Sequence, residues 1–365
     1  VSIPVGAVTY MDPARDPEFF ESLIASGELD FILMNRPLSV DYDYLHKLEE
    51  GRIDEIRPCT RCMHCHWDAA DDGNLTFSCR TNAAHPFRFV TGQLTGSYDP
   101  EPAATAKNVV VVGAGPAGLE AARVAAERGH SVTLYEKKGS VGGLLEFANN
   151  VKGPHENLSV LRSYFERQME VLGVNVMLNT EATADIIAEA SPDIVIAATG
   201  GVRDTLGLSD TAGTKVVGID DFMMADIAEE VVIVGSNVQA IDAAMYLLAQ
   251  GKHVQVVTPN AASAIGAGHS FWVKTFTQPN MKALGVRFWP EATVTAVNDG
   301  SVTVKTATGI EQEIACGTVV EALDCLPNDN LSTGLSCEVV TVGDAARPFN
   351  IGEAICSGNA AARAI

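Results

Sequence analysis

Asn108-Val-Val-Val-Val112 followed by Gly113-Ala-Gly115-Pro-Ala-Gly118 decides the fold of this chain. A strand-forming run of valines leads into G-x-G-x-x-G, and a helix is predicted to begin at Pro116. In this pattern the first glycine permits a tight turn, the second lets backbone amides approach a pyrophosphate, and the third lets helix and strand pack closely. The next predicted strand ends at Glu136, placed to accept a hydrogen bond from a ribose hydroxyl. The stretch predicts a dinucleotide site that includes Gly113, Gly115, Pro116, Ala117, Gly118 and Glu136.

Features further along favour FAD as the dinucleotide. Gly143 and Leu144 follow the strand that carries the acid, and Thr199-Gly200 follows another predicted strand. Near the end of the chain, Gly343-Asp344 follows a strand over residues 338–342 and precedes a helical run. We expect this turn to bring a carboxylate and a helix N-terminus to the far end of a long cofactor. Asp344 is then predicted to head the closing helix and to accept from a flavin ribityl hydroxyl.

A second strand, turn and helix of the same kind begins near residue 230. Its turn reads Gly235-Ser-Asn237-Val-Gln-Ala240, so asparagine replaces the middle glycine and would crowd a pyrophosphate. Gly235 and Ala240 are predicted to contact a second nucleotide, NAD(P)H or ADP, and a vestigial site is the alternative. Thr258 stands where an acid would bind a ribose, so the sequence does not distinguish NADH from NADPH.

Four of the eight cysteines are clustered as Cys59-x2-Cys62-x2-Cys65-x13-Cys79. Soft thiolates select zinc or an iron–sulfur cluster. Three cysteines at successive x2 spacings favour a 4Fe-4S cubane because its ligands bind separate irons, whereas zinc, the alternative, more often takes two close pairs. His64 and His66 lie in the same loop, and we expect them to neighbour the cluster rather than to bind it.

Composition narrows the class of protein further. The 365 residues are 47% hydrophobic and 19% charged, which is typical of a globular α/β protein. The net charge of -21 argues against a nucleic-acid partner, because the field of the protein would repel phosphate. The sequence predicts no membrane span and no signal peptide, and hence a cytoplasmic protein.

Taken together, these motifs resemble the iron–sulfur flavoenzymes of the Old Yellow Enzyme superfamily, the group with 2,4-dienoyl-CoA reductase, NADH:flavin oxidoreductases and trimethylamine dehydrogenase. Segments Asp16-Pro-Glu-Phe19 and Asn35-Arg36-Pro37 match the last two barrel strands and their loops. Gly51 to Arg57 leads into the cysteines, and Val342 to Pro348 matches the closing flavin motif. The resemblance implies that Arg36, which is retained, binds the phosphate of FMN. In the same barrel loops this chain departs from the family: Thr9-Tyr10 replaces the usual Gly-Arg, and Asn35 replaces a small residue.

The resemblance implies an α/β chain with five segments. Residues 1–50 are the last two strand–helix units of a TIM barrel, and residues 51–106 are the 4Fe-4S segment and linker. Residues 107–225 and 316–365 form an FAD-binding domain, and residues 226–315 form an inserted NAD(P)- or ADP-binding-like domain. Both nucleotide-binding domains are Rossmann-like, of the FAD/NAD(P) disulfide-reductase type. Because the first six barrel strands are absent, we expect upstream sequence or a separate chain to complete the barrel.

The resemblance also implies an oxidoreductase that acts on a small molecule. Electrons would pass between FAD and a substrate-side FMN through a 4Fe-4S cluster held by Cys59, Cys62, Cys65 and Cys79. An amine-dehydrogenase-like direction, with an electron-transfer protein as acceptor, is slightly favoured by Asn237. The alternatives are an NAD(P)H-dependent enoate reductase and a non-catalytic electron-transfer or structural subunit.

Overall fold

A computed structural model describes residues 3–8, 10–65, 68–69, 75–76, 78–85, 88, 92, 94–328, 330–331 and 334–365. The predictions that concern Thr9 and His66 lie outside these residues. Within the described part of the chain, no helix combines the length and the apolar character that crossing a membrane requires.

The N-terminal segment contains a pair of parallel strands, β1 (Gly6–Ala7) and β2 (Phe31–Ile32). Helix α1 (Pro17–Ala25) joins them, and α2 (Arg36–Val40) and α3 (Tyr44–Glu49) follow. Each of these strands is only two residues long. Side chains on and beside them are exposed, including Ile3, Val8, Phe31 and Leu33, so the apolar faces expected to pack in a barrel are open here.

The cysteine segment has little regular structure. Its two described strands, β3 (Asp68–Ala69) and β4 (Leu75–Thr76), form an antiparallel pair. This agrees with a segment that is poor in periodicity and rich in turn-forming residues.

A five-stranded parallel sheet follows the predicted linker. In chain order its first elements are β5 (Asn108–Val112), α4 (Pro116–Glu127), β6 (Ser131–Tyr135), α5 (Leu145–Lys152), α6 (Leu158–Val171), β7 (Asn175–Met177), α7 (Ala184–Glu189) and β8 (Ile194–Ala197). The valines of β5 are buried because the strand pairs with β6 on one side and β8 on the other, under helices.

A second five-stranded parallel sheet lies between these elements and the end of the chain. Its region contains β9 (Val202–Arg203), β10 (Lys215–Gly218), β11 (Glu230–Val234), α8 (Val238–Ala249), β12 (His253–Val257), α9 (Phe271–Ala283), β13 (Arg287–Trp289), β14 (Ala292–Asn298), β15 (Ser301–Thr306), β16 (Glu311–Ala315), β17 (Thr318–Glu321) and β18 (Cys325–Leu326). The sheet order is β10-β17-β11-β12-β13. Strands β10 and β17 therefore share a sheet with the predicted inserted segment, although both lie outside residues 226–315.

The chain then returns to the first sheet. Strand β19 (Glu338–Thr341) pairs with β8 and completes the order β19-β8-β5-β6-β7. The closing helix α10 (Ile351–Ala364) packs against α4. Their contact is close because Gly358 has no side chain: a Cβ there would lie 2.1 Å from the carbonyl oxygen of Ala117. The late segment is thereby placed beside the glycine turn.

Candidate functional site

The glycine turn between β5 and α4 is built by two kinds of glycine. Gly113 has φ +101, and a Cβ on Gly118 would lie 1.9 Å from the Gly113 carbonyl oxygen, so the protein itself requires both. Gly115 differs, because its φ of -76 suits any residue and a Cβ there would meet no atom within 4 Å. A glycine facing open space at the start of a helix fits the predicted approach of a pyrophosphate.

Helix α4 also begins without a side-chain cap, since Gly115 is its N-cap residue. Pro116 occupies the first turn, where a missing N–H costs nothing. The side chain of Ala117 is used for packing, because it lies against Gly343, and the Ala117 backbone lies against Gly358 of the closing helix. The first turn of α4 can therefore present its amides to an anion.

The remaining predicted flavin residues lie along the same edge of the sheet. A Cβ on Gly143 would come 3.0 Å from the Cα of Gly115, and one on Gly113 would come 3.3 Å from the backbone nitrogen of Thr199. Gly200, next in sequence, has φ +77. Leu144 is half-buried as the N-cap residue of α5. The structure thus brings these residues together at the carboxyl ends of parallel strands.

Glu136 is buried beside the glycine turn. Its Oε2 accepts a hydrogen bond from the Ala114 N–H at 2.8 Å, and its Oε1 accepts one from Lys138 N–H at 2.8 Å. Each carboxylate oxygen can accept a further bond. The carboxylate is therefore oriented by the backbone, with capacity left for a ribose hydroxyl.

Asp344 lies in a 3₁₀ turn, Gly343–Ala345, and not at the head of the closing helix. The prediction that it heads this helix is wrong, because α10 begins at Ile351 and its cap is Asn350, whose side chain accepts from the Glu353 N–H. Burial raises the pKa of Asp344, and an N–H donated by Phe349 and the charge of Arg203 oppose this rise. Asp344 is thus free of the capping role.

The second glycine turn is arranged differently. Gly235 has φ +138, and a Cβ on it would lie 2.0 Å from the Ala322 carbonyl oxygen. Asn237 caps α8 by accepting from the Ala240 N–H at 3.0 Å. Its amide nitrogen donates to Asp324 at 3.0 Å and to two carbonyl oxygens of the loop after β17. The N–H of Ala240 and the space beside it are therefore engaged by the protein itself.

All four clustered cysteines line one cavity of about 240 Å³, together with Arg36, Arg61 and Arg80. Burial raises the pKa of Cys59 to about 11 and that of Cys65 to about 12, and neighbouring cysteines add to both increases. Burial raises the pKa of Cys62 as well, and its neighbour Arg80 opposes this rise. Among the described residues, no three cysteine, histidine or acidic side chains are arranged to hold a single metal ion.

Two residues of the cysteine loop have a left-handed backbone conformation, which few residue types other than glycine favour. Arg61 has φ +57 and Met63 has φ +64, although neither is glycine. Backbone hydrogen bonds from Arg61 to Cys59 and from His64 to Cys62 stabilise the thiolate forms. Alternating left-handed residues that turn N–H groups toward sulfur are typical of anion- and cluster-binding loops. The sequence does not reveal this backbone signal.

A second cavity of about 180 Å³ opens at the ends of the N-terminal strands. It is lined by Tyr10, Asn35 and Arg36, and Cys59 lines both cavities. Arg36 lies 4.1 Å from the centre of the Tyr10 ring and donates to the Met63 sulfur at 3.5 Å. Tyr10 thus supports Arg36, a role that the sequence alone does not indicate.

Sequence comparison identifies the class of this protein. A family model described as pyridine nucleotide-disulphide oxidoreductase matches residues 107–344, and the chain belongs to this family. It is an oxidoreductase of the flavoprotein class, as predicted. The similar proteins form a group of the Old Yellow Enzyme and trimethylamine dehydrogenase type, which confirms the family resemblance found in the sequence.

Three similar proteins illustrate the group. NADH oxidase of Thermoanaerobacter brockii is 36% identical over 70% of this chain and 39% of its own length. The structure of a 2-naphthoyl-CoA reductase complex is 30% identical with a TM-score of 0.79, over 96% of this chain and 53% of that one. Histamine dehydrogenase from Rhizobium sp. 4-9 is 25% identical with a TM-score of 0.80, over 100% of this chain and 58% of that one. The chain thus spans about half of the length of these proteins or less.

Proposed function

We propose that this chain relays electrons in a flavin and iron–sulfur oxidoreductase. The glycine turn, Glu136 and Asp344 would hold FAD, and Arg36 would hold the phosphate of FMN. Cys59, Cys62, Cys65 and Cys79 would hold a 4Fe-4S cluster. When bound, such a cluster exchanges single electrons with flavins, which exchange one or two. We also propose that the chain is divided into the five predicted segments, with boundaries at residues 50, 106, 225 and 315.

One observation carries this proposal: Cys59 lines both the cysteine cavity and the cavity at the ends of the N-terminal strands, and Asn35, Arg36 and Arg61 line both as well. Cofactors in the two cavities would be separated by little more than these shared residues. Short separation favours electron exchange between two redox groups. The chain's own contribution is to fix both groups on neighbouring loops.

The cysteine cavity suits a cluster better than a single ion. The four thiols surround a volume of about 240 Å³, whereas no three of them are arranged around one ion in the described part of the chain. The cubane binds each cysteine to a different iron, so its ligands stand further apart than those of zinc. Arg80 also lines this cavity. Its Nε is buried and has no hydrogen-bond partner within the described residues. A sulfide in the cavity would supply an acceptor.

The second glycine turn supports an outward direction of electron flow. Asn237 occupies the turn with its own hydrogen bonds, which leaves no free amide at Ala240 for a dinucleotide phosphate. We therefore favour an amine-dehydrogenase-like reaction over reduction by NAD(P)H. Oxidation of an N-methyl or primary amine would release two electrons, which would pass one at a time to two molecules of an electron-transfer protein, with protons released to water.

The second candidate is an NAD(P)H-dependent enoate reductase. Its support is the similarity to proteins described as an NADH oxidase and a 2-naphthoyl-CoA reductase. In that case NAD(P)H would bind at the inserted domain near Gly235 and Ala240, and a hydride equivalent would enter at the FAD. The two candidates share the cluster and both flavins and differ in the source of electrons.

The exposed apolar side chains of the N-terminal segment support one further part of the proposal. Phe31 on β2 is 43% exposed, and Ile3, which precedes β1, is 69% exposed. These two strands have no further neighbouring strand among the described residues. We propose that the remaining barrel strands, on the same polypeptide or on a partner chain, cover them. The intact mass and oligomeric state of the native protein test this. A monomer of 365 residues whose strand amides resist exchange would contradict it.

Two measurements test the proposed function. Iron and acid-labile sulfide should each be present at about four per chain, and stoichiometric zinc without sulfide would refute the cluster. NADH or NADPH is added to the purified protein in the absence of oxygen. The flavin absorbance should then stay unchanged on the time scale of enzymatic turnover. Rapid bleaching by either nucleotide would instead favour the enoate-reductase candidate.

A further inference from the structure

A buried row of two basic and two acidic side chains, which ends at a histidine, connects the cysteine cavity with the inserted domain. It begins at Arg80, which donates through Nη2 to Glu156. Lys152 Nζ lies 3.2 Å from Glu156 Oε1 and 2.8 Å from Asp242 Oδ1. His269 Nε2 lies 3.0 Å from the same Asp242 oxygen. None of the five side chains is more than 10% exposed.

These residues come from three separate parts of the sequence. Arg80 follows the fourth cysteine directly, whereas Lys152 ends α5 and Glu156 lies in the turn before α6. Asp242 lies on α8 and His269 precedes α9, both in the predicted inserted domain. The row therefore crosses from the cysteine segment, through the predicted FAD domain, into the inserted domain.

Stability alone does not account for such a row. The cost of desolvating buried ions offsets most of their attraction, so apolar side chains of similar size often serve a protein equally well. Removing one partner is costly, however, because it leaves the other charge buried and unpaired. Each member of the row consequently fixes the position of the next.

At the start of the row, the Arg80 guanidinium is held in place by hydrogen bonds, but one of its N–H groups has no acceptor among the described residues. Its Nη2 donates to Thr60 Oγ1 at 3.0 Å as well as to Glu156, which holds the guanidinium at the cysteine loop. Its Nε is buried and has no partner among the residues that the structure describes. A buried N–H without an acceptor is destabilising, because it has lost its hydrogen bonds to water without replacing them. The cavity that Arg80 lines is bounded by all four clustered cysteines.

We propose that Arg80 is a positioning residue whose Nε–H donates to a sulfur of the cysteine-held cluster, and that Glu156, Lys152 and Asp242 hold it there. The inserted domain thereby influences the reduction potential of the cluster. This inference rests on the proposed cluster. Hydrogen bonds to sulfur and a nearby positive charge favour the reduced, more negative form and so raise the potential. Displacement of α8 would move Asp242, loosen the contacts that position Arg80 and so lower the reduction potential of the cluster.

The test is a redox titration of the purified protein, followed by the electron paramagnetic resonance signal of the reduced cluster. Arg80→Gln should change the equilibrium constant for reduction of the cluster at least tenfold. For one electron this corresponds to a fall of about 59 mV in the reduction potential. Arg80→Lys retains the charge without Nε, so its potential should fall by less. If Arg80→Gln fails to assemble a cluster, the Lys variant alone decides the role of Nε.

A neutral double variant tests the connection to the inserted domain. Lys152→Met with Asp242→Asn removes one charge of each sign, so a remaining shift reports the position of Arg80 rather than net charge. We expect a smaller fall in potential than for Arg80→Gln. Lys305→Met is the control, because Lys305 pairs with Glu311 in the inserted domain at an exposed site. It should leave the potential unchanged.

The outcomes separate this inference from the proposed function. Absence of iron and sulfide from the unaltered protein would refute the proposed function itself. A complete cluster whose potential is the same in the unaltered protein and both Arg80 variants would refute the role of Arg80 and leave the function intact. A shift with Arg80→Gln but none with the double variant would refute the connection to the inserted domain.

Discussion

The carboxylate of Glu136 accepts a hydrogen bond of 2.8 Å from the backbone N–H of Ala114, inside the glycine turn. The acid at the end of β6 and the turn at the end of β5 are thus parts of one structure, even before a cofactor is considered. A second bond, from the Lys138 N–H at 2.8 Å, orients the other oxygen. The same side chain therefore stabilises the loop and prepares an acceptor for a ribose.

Glu136→Gln should weaken FAD binding by about 10- to 150-fold. Glutamine keeps the size of the side chain but turns one acceptor oxygen into a donor, which cannot accept from the backbone or from a ribose hydroxyl. Hydrogen bonds to a charged group contribute about 1.5–3 kcal/mol, which corresponds to this range of affinity. Fluorescence titration of flavin-depleted protein measures the effect. Equal affinities of the two proteins would show that Glu136 serves the loop alone.

Gly115→Val should abolish flavin retention without unfolding the protein. The backbone at Gly115 suits any residue and its side chain would enter open space, so the folded chain accepts valine. A pyrophosphate in that space would clash with it. Flavin content and melting temperature are measured on the same sample.

Two other glycine variants control for the change at Gly115. Gly218→Ala, on β10, places its Cβ 4.0 Å from the nearest atom and should change neither property. Gly118→Ala should lower the melting temperature, because its Cβ would lie 1.9 Å from a carbonyl oxygen. Full flavin content in Gly115→Val would contradict the assignment of this turn to FAD.

Asp344→Asn should change stability and flavin binding in opposite directions. Burial raises the pKa of Asp344 above its usual value of 3.8, so its ionised form is disfavoured in the folded protein. The free energy of unfolding of the flavin-free protein falls as pH rises from 3.8 through the raised pKa, and asparagine removes this cost. The variant should therefore be more stable at neutral pH, with the gain vanishing below about pH 3.8.

The same substitution should weaken FAD by about 10- to 150-fold, because a charge-assisted bond to a ribityl hydroxyl is lost. Asn350→Ala is the comparison, since Asn350 caps the closing helix. It should cost about 0.5–2 kcal/mol of stability. If Asp344→Asn instead destabilised the flavin-free protein and left flavin affinity unchanged, the ribityl role would be refuted.

The local elements could be predicted from sequence because their signals are local. The valines of β5 and the glycines of its turn predicted a helix that begins at Pro116, where α4 begins in the structure. The row that begins at Arg80 could not be predicted, since Glu156 lies 76 positions away and only the packed structure joins them. The left-handed backbone of Arg61 and Met63 was missed for another reason: neither residue type favours it.

The role of Asn237 shows where sequence and structure complement each other. The sequence indicated that a side chain in place of the middle glycine would crowd a pyrophosphate. The structure adds that this side chain is bonded to Ala240, Asp324 and the carbonyl oxygens of the loop after β17. Contacts of this kind depend on β17, which lies about 80 residues further along the chain and could not be inferred from the turn itself.

Asn237→Gly should therefore change both stability and nucleotide binding. Loss of the cap on α8 should lower the free energy of unfolding, although by only a few tenths of a kcal/mol because glycine is itself tolerated at this position. The N–H of Ala240 becomes free, and the turn regains the pattern that binds a pyrophosphate. ADP, used as the probe in calorimetry, should bind the variant at least tenfold more tightly than the unaltered protein. Tight binding of ADP by the unaltered protein, with no gain in the variant, would show that Asn237 does not close this site and would remove the support for an outward direction of electron flow.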